Sequence, residues 1–366
     1  MMPPMSAGTE IEGSSVQQGS NCGPVMVHEF TDDQQAGWDR YVLEHNDGTV
    51  FHLTAWKRVV ERAFGFQARY LVAKCNGVVQ GVLPLFHVRN PIVGSTLIST
   101  PFAVAGGVIA SGDAAAEALT ARACEIAERE RVEYLELREK QERNLPSFRT
   151  KELYVNFDKD LTPDIEKLFA SLPRDTRYMI RKGQKASLKA EVGPQHLDVC
   201  HHIYAESVRN LGTPVFSKKY FHIIQEEFGD MVEVLAISLQ NRPLAAVLSF
   251  RFKDWIVPYY GGSILEGRRY AANNFMYWEL MRSAAERGCR HFDFGRSKIG
   301  TGAHFFKTQW SMKEVPLPYR FYLVRRKDMP NFSPANAKFR LAIEAWKRIP
   351  LPIAKLVGPP LVRLFP

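Results

Sequence analysis

The stretch from Trp255 to Trp310 limits the possible folds more than any other part of the chain. An apolar-aromatic run, Trp255 to Tyr260, ends at Gly261-Gly262 and predicts a buried strand. A polar loop with Arg268 and Arg269 follows, and Asn273 or Asn274 is placed to cap a helix. Met276, Leu280 and Ala284 repeat at helical spacing, Arg282 and Glu286 fall off that stripe, and Gly288 suits the helix end. Arg290 to Phe294 predicts a second strand, with Phe292 and Phe294 on one face and Asp293 on the other. A strand, a helix and a strand in this order form a crossover unit. The loop after it, Gly295 to Gly302, holds Arg296, Ser297, Lys298 and Thr301, and then comes Phe305-Phe306-Lys307. Polar groups just past a strand end are where α/β folds place their chemistry.

At 366 residues, two domains are expected. Hydrophobic content of 45% and charged content of 24% are those of a globular protein. The net charge of +9 favours an anionic partner such as a phosphorylated substrate, nucleic acid or an acidic membrane surface. Five scattered cysteines without a CxxC pair suggest neither a zinc site nor a disulfide framework, and a reducing cytoplasm fits them. The N-terminus lacks the basic and apolar regions of a secretory signal, and no apolar run reaches the ~20 residues of a membrane span.

In chain order, residues 1–23 are rich in Gly, Ser, Gln and Pro and are expected to be disordered. Trp38 to Leu43 and Ala55 to Phe64 predict helices, the second with Trp56, Val59, Val60 and Ala63 on one side. Tyr70 to Ala73 and Val78 to Val88 predict a hairpin around Cys75-Asn76-Gly77, interrupted by Pro84. Asp113 is placed to cap a helix reaching about Arg129, and Val132 to Leu137 is the strand after it. The second half repeats this order. Phe228-Gly229 answers Phe64-Gly65, Val232–Phe252 answers the hairpin, and the Asn274 helix answers the Asp113 helix. The expectation is a duplicated mixed α/β unit, with mixed sheets flanked by helices and divided as 24–150 and 151–330.

Between the halves, Ser171 and Pro173 suit a helix start, and Arg174, Arg177 and Arg181 share one face, with Lys182, Lys185 and Lys189 beyond. Asp175 is the one acid among these six bases, which points to an anion site. The tail, 331–366, has a helix around Lys338 to Lys347. Apolar residues broken by Pro359-Pro360 follow, which lie on the domain or touch a membrane surface.

Several chemistries are disfavoured. Gly295 to Gly302 lacks the Lys-Ser/Thr of a nucleotide-triphosphate loop, no GxSxG serine-hydrolase motif occurs, and the dinucleotide-binding glycine fingerprint is absent. His196, His201 and His202 lack a spaced carboxylate and are expected to be satisfied surface residues, so no metal site is assigned. The positive signal is a polar set in an aromatic groove. Tyr204, Ser207, Arg209 and Asn210 stand beside Leu211-Gly212-Thr213-Pro214, and Tyr259, Tyr260, Asp293, Arg296, Ser297, Lys298, Lys307 and Trp310 come from the closing unit. Arg and Lys hold phosphate or stabilise an oxyanion, and Tyr donates to either.

The strings Leu211-Gly-Thr-Pro-Val-Phe216, Pro258-Tyr-Tyr-Gly-Gly262, Phe292-Asp-Phe-Gly-Arg-Ser-Lys298, Gly300-Thr-Gly302 and Phe306-Lys307 resemble the FemAB-related proteins, in the branch associated with exosortase/PEP-CTERM and exopolysaccharide systems. The resemblance runs from about Val27 to Pro350. It implies two tandem acyltransferase domains of the GNAT fold and a reaction site lined by Phe306-Lys307. The donor it implies is an activated acyl group, aminoacyl-tRNA or acyl-CoA, with no bound cofactor. Two features depart from that pattern: there is no long helical arm, and the loop that holds CoA in such folds reads Arg268-Arg-Tyr-Ala-Ala-Asn273, without its glycines.

The expected activity is transfer of an acyl or aminoacyl group to an amine or hydroxyl of an envelope glycan or its phosphorylated or lipid-linked precursor. Lys307, Asp293 and Tyr260 are the expected catalytic residues. Arg174, Arg177, Arg181, Arg209, Tyr259, Asn274, Arg296, Ser297, Lys298 and Phe306 are the expected substrate-binding residues. The alternatives are an acyl-CoA-dependent N-acyltransferase and a non-catalytic module for an anionic glycan or nucleic acid. The location expected is cytoplasmic, with peripheral membrane contact as an option.

Overall fold

The computed structural model describes residues 23–330 and 337–366, and the N-terminal segment expected to be disordered lies almost wholly outside them. The first half runs β1 (Met26–Glu29), α1 (Gln35–Glu44), α2 (Thr54–Phe64), β2 (Gln67–Ala68), β3 (Leu71–Cys75), β4 (Val78–Leu83), β5 (Phe86–Asn90), β6 (Gly94–Ile98), β7 (Ile109–Ala110), α3 (Asp113–Arg129) and β8 (Tyr134–Arg138). The second half runs β9 (Arg149–Asp160), α4 (Ile165–Ala170), α5 (Arg174–Lys185), β10 (Lys189–Val192), α6 (Leu197–Leu211), α7 (Lys218–Phe228), β11 (Val232–Leu239), β12 (Arg242–Phe252), β13 (Trp255–Ser263), α8 (Ala272–Glu286), β14 (His291–Asp293), β15 (Ser297–Lys298), α9 (Gly302–Thr308) and β16 (Lys313–Leu323). Helices α10 (Ala337–Arg348) and α11 (Leu351–Val362) close the chain.

The local signals act as their chemistry requires. Asn76 and Gly77 both take positive φ, 48° and 80°, so β3 and β4 pair around a two-residue turn. Pro84 falls between β4 and β5, where the chain leaves one sheet for another. β4 belongs to a four-stranded sheet ordered β1-β3-β4-β7, and β5 belongs to a twelve-stranded sheet. A residue without an N–H fits at such a break.

Each half contains a parallel strand pair joined by a helical crossover, β6 with β8 through α3 and β13 with β14 through α8. The large sheet then joins the halves edge to edge, its order β13-β14-β9-β16-β8-β6 passing from second-half to first-half strands between β16 and β8. β9 pairs with β14, β16 pairs with β8, and β9 and β16 pair with each other. A strand late in the second half thus completes the sheet of the first.

The cores also cross the junction. Trp56 on α2 is fully buried and meets Phe51, Phe228, Phe250 and Tyr259. Arg58 and Arg62 pair with Glu226 and Glu227 on α7. Helix α8 buries Phe275, Met276, Trp278, Leu280, Met281, Ala284 and Ala285, more than one stripe, because α5 covers one side of it and the sheet the other.

Several expectations are corrected. Helix α8 begins after Ala271, held at φ 55°, so Asn273 and Asn274 sit inside its first turn and do not cap it. Gly112 takes the cap position of α3, and Asp113 is its first helical residue, where its charge favours the helix dipole. Helix α11 continues through Pro359 and Pro360. Gly358 lets it lie directly on Val215, since a Cβ there would stand 2.7 Å from the Val215 backbone. His201 is buried, 5% exposed, with Nε2 against the Phe216 carbonyl at 3.0 Å. Cys75 is disulfide-bonded, while Cys124, Cys200 and Cys289 are free. Among the described residues no helix is long and apolar enough to cross a membrane.

Candidate active site

β13 and β14 pair only at Trp255–His291 and Ile256–Phe292, and then β13 runs on to Ser263 while the chain after Asp293 turns away. The divergence opens a cavity of about 460 Å³. Pro258, Tyr259, Tyr260 and Gly261 form one wall, Phe294, Gly295 and Arg296 the other, with Tyr277 of α8 and Lys307 of α9 between them. Thr213 and Pro214 contribute from the turn after α6, and Phe102 and Val104 from the first half.

Lys307 is the central group. Thr301 caps α9, accepting from the His304 N–H, and this short helix aims Lys307 back at the loop that precedes it. The Lys307 Nζ donates to the Gly295 carbonyl at 2.8 Å and the Arg296 carbonyl at 3.0 Å. It lies over the rings of Phe294 and Phe157, 5.4 and 5.8 Å from their centroids. Burial pushes its pKa down to about 8, Asp293 opposes that shift, and Arg296 adds to it. At neutral pH the ammonium form still dominates, and one of its three N–H donors remains beyond the two carbonyl contacts.

Asp293 does not line this cavity; it lies behind the Gly295 turn and lines a separate, smaller cavity with Asn156. Its Oδ1 accepts from the Gly295 N–H at 2.7 Å and from Asn156 Nδ2 at 2.8 Å. The same Asn156 amide donates to Asp158 Oδ1 at 2.7 Å, so one side chain links two carboxylates. Burial, and then the Asp293 charge, lift the Asp158 pKa to about 7. Neither Asn156 nor Asp158 was singled out from the sequence. Their signal is alternation in β9, where Asn156 and Asp158 share one face around the fully buried Phe157.

The other expected residues fall in several places. Tyr259 and Tyr260 line the cavity. Tyr259 donates its hydroxyl to the Phe102 carbonyl at 2.7 Å, and Tyr260 shares a 2.9 Å hydrogen bond with the Tyr220 hydroxyl. Burial raises the Tyr260 pKa well above its ordinary value. Arg296 donates to the Tyr319 hydroxyl at 2.8 Å and stacks on Tyr154, 4.7 Å from its centroid. Phe306 packs among Tyr277, Phe294 and Trp310. Ser297 is buried in β15, and Lys298 beside it lines a second cavity.

Five expected residues lie farther from this cavity. Arg209 donates to the Ile349 carbonyl at 3.0 Å and so ties α6 to the closing helices. Asn274 is half-buried in the first turn of α8. Arg174, Arg177 and Arg181 lie along the outer side of α5, which buries Thr176, Ile180 and Gly183 instead. Arg177 bonds the Ala170 carbonyl at 3.1 Å, and Arg181 stacks on Phe169.

Residues 170–308 match the acetyltransferase (GNAT) domain family. That span holds α5, both diverging strands, α8 and Lys307. Among solved structures, FemX superposes with a TM-score of 0.62 at 16% identity, over 82% of this chain and 98% of that one. The C-terminal domain of a putative lysylphosphatidylglycerol synthetase from Agrobacterium fabrum gives 0.55 at 13% identity, over 79% and 92%. A tandem GNAT protein from the clavulanic acid biosynthesis pathway gives 0.51 at 11% identity, over 83% and 100%. No curated protein matches the sequence. The duplicated crossover units, the cavity where β13 and β14 part, and the family match across that cavity identify the chain as an acyltransferase with a GNAT domain.

Proposed function

We propose that the protein joins an acyl or aminoacyl group to an amine or hydroxyl of an envelope glycan or its phosphorylated, lipid-linked precursor, in the manner of Fem-type transferases. The observation that carries this reading is the half-buried Lys307 ammonium, fixed by two carbonyls at the cavity. The acceptor nitrogen or oxygen attacks the donor carbonyl carbon. Negative charge gathers on the carbonyl oxygen, and the remaining N–H of Lys307 meets it. The tetrahedral species then collapses, expelling the leaving group, which takes up the proton lost by the acceptor. A fixed charge-assisted donor in a dry site favours the charged intermediate over the neutral donor.

Asp293 holds the Gly295 N–H, and with it the carbonyl that anchors Lys307. Arg296, with Ser297, Lys298 and Phe306, positions substrate, and Tyr259 and Tyr260 shape the apolar wall. Residues 24–150 act as scaffold and 151–330 as the catalytic half. The outer stripe of Arg174, Arg177 and Arg181 serves a phosphate-bearing part of donor or acceptor. The envelope-glycan acceptor and the exosortase-associated setting rest on the sequence strings quoted above, and a cytoplasmic, membrane-peripheral location goes with them.

Two donors are compatible with this chemistry. The family match over 170–308 favours acyl-CoA. The loop before α8 offers Arg268 and Arg269, both exposed, to a pyrophosphate, but Gly267 is its one glycine. Purified protein incubated with acetyl-CoA or aminoacyl-tRNA and a lipid-linked glycan precursor is expected to add the donor mass to the acceptor, read by mass spectrometry. Precursor pools from a deletion strain should lack that mass. An unmodified acceptor with either donor, tight binding retained, would instead support a binding module.

A further inference from the structure

A second cavity, about 510 Å³, lies beyond Arg296 on the sheet face formed where the two halves meet at β16 and β8. It shares Thr213, Arg296, Phe365 and Pro366 with the Lys307 cavity, so the two are neighbours across a thin partition. Among the described residues, the charged side chains lining it are Arg138, Lys151, Arg296 and Lys298 with Glu136, which is paired to Arg138 at 2.8 Å.

The partition is the chain's own segment Leu364 to Pro366. Arg138 Nη2 donates to the Pro366 main-chain oxygen at 2.8 Å, and Asn90 Nδ2 donates to the Leu364 carbonyl at 2.6 Å. Both donors come from buried side chains, Arg138 being 4% exposed and Asn90 6%. The rest of each is committed. Arg138 Nε holds Glu136, its Nη1 holds the Thr100 and Ala103 carbonyls, and Asn90 Oδ1 accepts from the Ile92 and Val93 N–H groups. A buried donor without an acceptor costs about 1–3 kcal/mol, so a departing tail must be replaced by other oxygens. The Phe365 side chain of this segment is 41% exposed.

We propose that this cavity is a binding site for an oxyanion group, phosphate or carboxylate, and that Leu364 to Pro366 occupies it as an internal stand-in. The ligand's oxygens replace the two tail oxygens on Arg138 and Asn90, and Lys151, whose Nζ sits 2.9 Å from the Pro330 carbonyl, adds a second cation. With the tail displaced, the site and the Lys307 cavity join into one passage. The assignment of this oxyanion to the acyl acceptor rests on the proposed transferase reading. The site itself stands on its own cations and donors.

Calorimetric titration tests it with two probes, pyrophosphate and glucuronate, against the full chain and a chain ending at Arg363. An occupant present nine-tenths of the time lowers apparent affinity ~10-fold, so the shortened chain should bind one probe about that much more tightly. The probe that binds tells phosphate from carboxylate. Arg138 also supports Thr100 and Ala103, so the half-buried Lys151 is the safer site to change. Lys151→Gln in the shortened chain should return binding to the full-length level or below, at an unchanged melting temperature. Equal affinity with and without the tail, binding indifferent to Lys151→Gln, or no binding of either probe overturns the proposal. Lys307→Met should leave probe binding intact while ending acyl transfer, so a failure of the transferase reading appears in turnover and not in this titration.

Discussion

Replacing Lys307 with Met separates catalysis from stability. Moving a lysine pKa from 10.5 to about 8 corresponds to about 3 kcal/mol of unfavourable charge burial. Met keeps most of the apolar stem over Phe157 and Phe294 and removes that cost. Against the gain, the Gly295 and Arg296 carbonyls lose their donor, at about 1–3 kcal/mol for a buried group. The two effects nearly cancel, and the melting temperature should stay within about 5 °C of the unsubstituted protein. Turnover is not offset in this way, because the lost donor acts on charge that exists only in the reaction's course. It should fall ~100- to 1000-fold, with a modest change in substrate affinity. Steady-state kinetics with the true donor and acceptor, beside a thermal melt, measures both. The unsubstituted enzyme should also lose kcat as pH rises through about 8, where the ammonium deprotonates. Near-normal turnover in Lys307→Met refutes the oxyanion role, and a melting temperature lowered by tens of degrees would show that the Lys is structural.

Three further outcomes are expected. Burial and Asp293 raise the Asp158 pKa above its unfolded value, so the folded state holds the extra proton and stability declines as pH rises from the unfolded pKa through about 7. Asp158→Asn should therefore raise the melting temperature at pH 8 by roughly 2–6 °C and change it little at pH 4, and equal shifts at both would contradict the origin given for it. Trp56→Ala opens the core shared by α2, α7 and the sheet, and should cost ~3–5 kcal/mol in denaturant unfolding while both halves still unfold in one transition. Arg177→Gln with Arg181→Gln should weaken binding of a phosphorylated substrate several-fold and flatten its salt dependence, since Arg181 is exposed and Arg177 half-buried, so that the contact is partly screened, and salt-independent binding unaffected by both changes would remove α5 from the site.

Sequence reading went furthest where one short segment sets its own backbone and its own buried face. Asn76-Gly77 fixed a hairpin, because both residues tolerate positive φ. The Met276, Leu280 and Ala284 spacing fixed α8, and the glycine-broken loop with Phe306-Lys307 placed the cationic group of the cavity. It was least complete where a side chain's role depends on a distant partner. Asn156 and Asp158 are only two polar residues on a strand until β14 brings Asp293 alongside. The basic stripe on α5 is legible as a stripe, but whether it faces the Lys307 cavity depends on which face packs on α8.

The amino-acid order alone made α2, α3, α5 and α8, the Asn76-Gly77 hairpin, the repeated crossover and the residues available at its end legible, since periodicity and turn chemistry act over a few residues. Tertiary structure decided which strands meet. The pairings that place β9 beside β14 within the second half and β16 beside β8 across the junction join strands far apart in the sequence. It also decided that α11 continues through two prolines, because Gly358 lets that helix rest on Val215. The same packing brings Leu364 to Pro366 against Arg138 and Asn90, more than two hundred residues earlier. No local pattern specifies that meeting, since the buried donors of the first half and the tail oxygens find each other only once the two halves have joined at β16 and β8.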